Sequence, residues 1–113
     1  MSASILAGRD RMDLDNGMQL RLLSALEVLQ ARREAEELAQ EERERPLCSN
    51  ACLLSRALET QEGEPVFSSG REVLSGLRVE EIAALAGTWS RFNREENPSL
   101  TMGAEQVEEV KKN

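Results

Sequence analysis

The chain has 113 residues, of which 40% are hydrophobic and 31% are charged, and its net charge at pH 7 is -7. That length suits a single domain. An acidic chain releases no counterions from a nucleic acid and gains nothing from an anionic membrane surface, so we expect neither as a partner.

Residues that commonly carry catalysis are scarce. The chain has no His, and its only cysteines are Cys48 and Cys52. A disulfide one helical turn apart would strain a helix, and two thiols without imidazole do not complete a zinc site. We therefore predict buried reduced thiols, no metal, no cofactor and no enzymatic activity. A basic start followed by an apolar block is missing at residues 1–8, so a cytoplasmic location is expected.

Residues 1–14 show no periodicity and are predicted to be a flexible N-terminus. Asn16 with Gln19 fits a capping box, and Asp15 is an alternative cap. An apolar stripe then runs from Met18 to Leu29, and residues 32–45 are polar helix formers. The pattern predicts one long helix over 16–45 with a buried first half and a solvated second half. An acidic docking rod is the functional alternative for the second half.

Pro46 suits the first turn of a second amphipathic helix that ends near Gly63. Val66-Phe67 and Val73-Leu74 flank a Ser-Ser-Gly turn over 68–70, which predicts a small β-hairpin. Ser69 with Glu72 also fits a capping box, so an earlier start of the third helix is the competing interpretation.

The third helix is predicted over 77–98 and carries the only Trp. Its apolar positions recur at three- and four-residue steps and include Val79, Ala83, Trp89 and Phe92, which predicts one buried face. The Asn-Pro pair at 97–98 ends it. Residues 99–113 are predicted to be a flexible C-terminal tail, with a short helix around Val107 as the alternative.

The predicted fold class is mainly α, a single small domain over 15–98 with three amphipathic helices and a short β-hairpin before the third. The candidate residues for the core or for a client-binding groove are Leu22, Leu26, Leu29, Leu54, Leu58, Phe67, Ile82, Leu85, Trp89 and Phe92.

A helix-turn-helix regulator is one functional alternative. Residues 81–90 resemble the first helix and turn of bacterial repressors, with Gly87 at the turn. The second helix would carry Arg91 and Arg94 but also Glu95 and Glu96, and acidic side chains repel phosphate. A scaffold that self-associates through the 16–45 helix is a third class.

A longer resemblance covers residues 47–99. Its segments are Ala-Cys-Leu-Leu-Ser-Arg-Ala-Leu at 51–58, Gly-Glu-Pro-Val-Phe at 63–67, Glu-Val-Leu at 72–74, Leu-Arg-Val-Glu-Glu-Ile at 77–82, Trp-Ser-Arg-Phe-Asn at 89–93 and Asn-Pro-Ser at 97–99. Together they resemble the small tail assembly chaperones of long-tailed bacteriophages and prophages. Arg78 departs from the pattern, because Thr or Ser is more usual at that helix cap.

The resemblance implies a non-enzymatic protein that shields apolar helical segments of the tape measure protein during tail assembly. It also implies the tail tube protein as a second candidate partner and leaves homo-oligomerisation open. The residues themselves are compatible with this role, since an amphipathic-helix protein with an acidic exterior can lay apolar grooves against a client helix.

Overall fold

A computed structural model describes residues 10–96 as a mainly helical single domain with a small three-stranded antiparallel sheet. The elements in chain order are β1 (Arg11–Asp13), β2 (Met18–Arg21), α1 (Ala25–Leu38), a 3-10 helix (Glu42–Glu44), α2 (Arg45–Ala57), β3 (Leu58–Thr60), α3 (Gly70–Gly76) and α4 (Val79–Glu96). The sheet order is β1-β2-β3. Four α-helices are therefore present in the described residues, where the sequence predicted three helices.

The first element is a β-hairpin, so the predicted helix start at Asn16 is wrong. The Leu14 N–H donates to the Met18 carbonyl at 2.8 Å, and Gly17 has a φ of 82°. Asn16 Oδ1 accepts the Met18 N–H at 3.3 Å, so the polar side chain that suggested a helix cap stabilises the turn instead. Asn-Gly is a strong hairpin signal. The flexible N-terminus predicted over 1–14 is likewise wrong at β1, while residues 1–9 lie outside the described residues.

Helix α1 is shorter than predicted, and the face that it buries is not the predicted leucine face. Ser24 caps it in a capping box with Glu27, and it ends at Leu38 rather than near residue 45. Its buried residues are Ala31 and Ala35, which pack against the two cysteines of α2. The prediction placed the leucines on the buried face because it included residues 18–23 in the helix. In the structure residues 18–21 form β2 instead.

Helix α2 begins at Arg45 and has Pro46 in its first turn, as the sequence predicts, but it ends at Ala57 rather than near Gly63. The chain then enters β3, where Met18 pairs with Thr60 and Leu20 with Leu58. Gly63 has a φ of 88° in the turn that follows β3, so its left-handed backbone serves a turn and not a helix end.

The β-hairpin predicted across residues 66–74 is wrong, and the competing interpretation is correct only about the helix start at Ser69. The helix that begins there is a separate element and not an earlier start of the third predicted helix, because it ends at Gly76 and the next helix begins at Val79. The Ser69 side-chain oxygen accepts the Glu72 N–H at 3.2 Å, and α3 runs from Gly70 to Gly76. The cap stabilises the helix start because it satisfies one of the free backbone N–H groups there. This local signal for a helix outweighs the strand signal of the apolar pairs at 66–67 and 73–74.

Helix α4 confirms the third predicted helix over the described part of 77–98. Its buried residues are Ile82, Ala86, Trp89 and Phe92. Val79, placed on the buried face by its spacing, is 62% exposed because it is the first residue of the helix. The helix continues through Gly87, so the turn that a helix-turn-helix requires at this position does not form.

The main core lies where the sheet meets α2, α3 and α4. Its buried residues are Leu20, Ala51, Leu54, Ala57, Leu58, Val73, Ile82 and Trp89. The Trp89 Nε1–H donates to the Arg21 carbonyl at 2.8 Å, which ties α4 to the end of β2.

None of the helices within 10–96 combines the length and the apolarity that crossing a membrane needs. The predicted C-terminal tail at 99–113 lies outside the described residues.

Candidate functional site

An apolar groove of about 300 Å³ opens between the sheet and the first half of α4. Its lining comes from five parts of the chain and consists of Asn16, Met18, Leu58, Val66, Phe67, Leu77, Glu81, Ala84 and Leu85. Its volume is at the lower end of the range for ligand pockets, which suits one or two large side chains of a partner.

The floor and one wall of the groove are built by β3 and the segment that returns along it. Leu58 is 1% exposed. The turn at 60–64 reverses the chain, and the Val66 N–H then donates to the Leu58 carbonyl at 3.2 Å. This bond fixes Val66 and Phe67 beside the floor. Both side chains are only half-buried, so they present apolar surface to solvent.

The opposite wall is the start of α4. The Arg78 N–H donates to Glu81 Oε1 at 2.8 Å, so a carboxylate one turn on satisfies the backbone at the position where the sequence lacks a Ser or Thr cap. Ala84 and Leu85 follow on the next turn and line the groove. Ala83, their neighbour, is exposed and does not line the groove.

The ten candidate residues divide into three groups. Leu54, Leu58, Ile82, Trp89 and Phe92 are buried, with Trp89 at 7% exposure and the others at 0–1%. Phe67 and Leu85 line the groove together with Leu58. Leu22 is half-buried away from the groove lining, while Leu26 and Leu29 are exposed on the outer face of α1.

Six of the nine groove residues are absent from the sequence-based candidates, and the large apolar ones among them are Met18, Val66 and Leu77. Met18 was counted in a helix, although the Asn16-Gly17 pair before it gave the hairpin signal. Leu77 caps the C-terminus of α3, and this position becomes recognisable only once α3 is assigned as a helix.

A second cavity of about 500 Å³ lies on the other side of Phe67, which lines both. It is polar, and Glu59 in its wall is 4% exposed. The Glu59 carboxylate accepts from Arg11 Nε at 3.0 Å and from Gln19 Nε2 at 2.8 Å, and Arg21 Nε lies 3.4 Å away. These contacts join all three strands through charged side chains.

Glu34 is the other carboxylate of the polar cavity. It accepts from Arg56 Nη1 at 2.7 Å and from the Gly70 N–H at 2.8 Å, so it joins α1, α2 and α3. Burial acts to raise the pKa of Glu34, but these bonds outweigh burial and lower it. The pKa of Glu27 is also lowered, chiefly by its hydrogen bond from Arg21.

Every buried side-chain nitrogen or oxygen within 10–96 has a hydrogen-bond partner. The charges of the polar cavity are therefore paired within the chain, and we interpret them as structural. The apolar groove differs, because five of its apolar side chains are only half-buried: Met18, Val66, Phe67, Leu77 and Leu85. It is the candidate functional site.

The cysteines are buried and free, as the sequence predicts. Burial raises the pKa of Cys48, and burial together with the Glu34 carboxylate raises the pKa of Cys52 to about 12. Since the thiolate is the nucleophile and the metal ligand, neither cysteine is poised for such chemistry. Across the described range, no three His, Cys, Asp or Glu residues are grouped to hold a metal ion.

No protein family, curated protein or solved structure matches this chain.

Proposed function

We propose that this chain is a non-enzymatic tail assembly chaperone of a bacteriophage or prophage, which shields apolar helical segments of the tape measure protein in the host cytoplasm. The observation that carries the proposal is the apolar groove beside α4. A client helix would insert one or two large side chains between Phe67 and Leu85, above Leu58. Helix-in-groove binding of this kind depends on apolar anchors and needs no catalytic group.

The segments that carry the resemblance support this assignment. Leu58, Val66, Phe67 and Leu77 all lie within them and all line the groove. Surfaces that only stabilise a fold are normally covered by the rest of the chain, whereas these side chains are partly open to solvent, apart from the buried Leu58. This open apolar surface is the proposed contact for a client helix.

Two neighbouring alanines of α4 provide a matched test. Ala84 lines the groove and Ala83 does not, although both are exposed on the same helix. Ala84→Gln places an uncharged amide at the groove without changing the net charge. We expect it to weaken binding of helical tape measure fragments about tenfold, as loss of a central apolar contact does, whereas Ala83→Gln binds like the native chain. Fluorescence anisotropy with labelled fragments measures both.

Equal binding by the two variants, with both folded by circular dichroism, contradicts groove binding. The absence of any binding by the native chain contradicts the proposed function itself.

A self-associating scaffold is a second candidate, favoured by one observation. Leu26 is 58% exposed and Leu29 is 45% exposed, one turn apart on the outer face of α1. Sedimentation equilibrium of the native chain and of a Leu26→Gln, Leu29→Gln variant tests it. A native oligomer that dissociates in the variant supports the scaffold, and a monomer in both excludes it.

A further inference from the structure

The chain segments that line the groove are strongly acidic where they reach solvent. Segments 13–18, 60–66 and 77–85 contain six acidic residues and one basic residue, all of them exposed: Asp13, Asp15, Glu62, Glu64, Glu80, Glu81 and Arg78. We call the six carboxylates the acidic rim.

A hydrogen-bonded contact brings two of these segments together. The Gln61 side-chain amide donates to the Met18 carbonyl at 3.2 Å and to Asp13 Oδ1 at 3.5 Å. The turn that carries Glu62 and Glu64 therefore lies against the hairpin that carries the two aspartates. Met18 is itself a groove residue, so Gln61 and Asp13 lie at one end of the groove, and Glu62 follows Gln61 in the chain. Gly63 and Pro65 of the same turn line the polar cavity.

The other end of the groove is bordered by the start of α4. Glu80 and Glu81 there have a structural role as well, because acidic residues in the first turn favour the helix dipole. Glu62 and Glu64 are not at a helix start, and no ion pair within 10–96 involves either of them. Both are exposed, so their charge acts on whatever approaches the groove.

We propose that the groove docks an amphipathic helix whose apolar face is flanked by lysine or arginine, and that the acidic rim selects for these basic residues. This inference rests on the proposed function and adds the charge of the client to it. An acidic client would meet like charges at both ends of the groove, which disfavours association. A second copy of this chain is disfavoured for the same reason, since its net charge is -7.

The test uses the full chain and two synthetic helices of about 18 residues with leucines along one face. One helix has lysines beside the leucines, and the other has glutamines at the same positions. We expect the lysine helix to bind about tenfold more tightly at low salt, and this preference should fall to near unity at about 0.5 M salt because surface charges are then screened. Anisotropy of the labelled helices measures both affinities.

A pair of charge variants locates the effect. Glu62→Gln with Glu64→Gln removes two carboxylates of the acidic rim, and Glu36→Gln with Glu37→Gln removes two exposed carboxylates from α1. We expect the first variant to lose about threefold in affinity for the lysine helix and the second to change little, because exposed pairs contribute modestly.

The outcomes separate the two proposals. Equal binding of both helices at low salt overturns the charge inference and leaves groove binding intact. Equal losses in both charge variants also overturn it, since the attraction would then be non-specific. Binding of neither helix contradicts the proposed function, and self-association of the chain that competes with the helices assigns the groove to a second copy.

Discussion

Two glycines of the helices should respond in opposite directions to the same substitution. A Cβ added at Gly70 would collide with Cys52 Sγ and lie 3.1 Å from Cys52 Cα, whereas a Cβ at Gly87 would meet nothing within 4 Å. The Cys52 backbone cannot move without shifting α2, so α3 would have to move away. That movement would also stretch the bond from the Gly70 N–H to Glu34.

The magnitude for Gly70→Ala follows from these two contacts. Overpacking costs about 1–3 kcal/mol, and weakening a hydrogen bond to a carboxylate costs about 1–2 kcal/mol. We therefore expect the free energy of unfolding to fall by about 2–5 kcal/mol. Gly87→Ala should raise it by up to about 1 kcal/mol, because alanine favours a helix interior and restricts the unfolded chain.

Urea denaturation followed by Trp89 fluorescence measures both variants, with circular dichroism as a second probe of the same transition. If Gly70→Ala is as stable as the native chain, the close contact between α3 and Cys52 is not as described. If Gly87→Ala is strongly destabilised, α4 is not a continuous helix at this position.

Three further predictions concern the core and its titratable groups. Trp89→Phe should lose roughly 2 kcal/mol because it removes the bond to the Arg21 carbonyl, and Trp89→Ala should lose about 4 kcal/mol, as measured by the same urea titrations. A native emission maximum typical of water would contradict the burial of this ring. Cys52 should resist alkylation by iodoacetamide at pH 8 in the folded chain and react in urea, because its pKa is raised to about 12. Mass spectrometry counts the adducts. Rapid labelling of the native chain would refute the burial of Cys52. Since the pKa of Glu34 is lowered in the fold, its contribution to stability is full above the unfolded value of about 4.3 and is lost as the pH falls through the folded value. Glu34→Gln should therefore lower the free energy of unfolding by about 1–3 kcal/mol at pH 7, and this loss should be smaller at about pH 3. A loss of stability that does not depend on pH would contradict the ion pair with Arg56.

The sequence predicted α4 and the start of α2 well, because each has a strong local signal. The apolar spacing of Ile82, Trp89 and Phe92 is maintained over three turns, and Pro46 marks a helix start. Local signals also existed at Ser24 and at the Asn16-Gly17 turn. These two signals were outweighed by the apolar run from Met18 to Leu29, which has helical spacing. In the structure this run is a strand followed by a helix.

The groove could be predicted only in part. Phe67 and Leu85 were recognised as apolar anchors, but their positions on facing walls depend on the bond between Val66 and Leu58, which joins residues from two elements. The paired charges around Glu59 also escaped prediction, because they come from all three strands. Contacts between distant parts of the chain leave little trace in periodicity or spacing.

Hydrogen exchange of the chain with and without a helical tape measure fragment tests the central claim most directly. If the fragment inserts into the groove, amides at 64–67 and at 77–86 should exchange more slowly in the complex, while those of α1 over 25–38 should be unchanged. Protection confined to α1, or tight binding with no protection beside Phe67 and Leu85, would contradict the assignment of client binding to the groove.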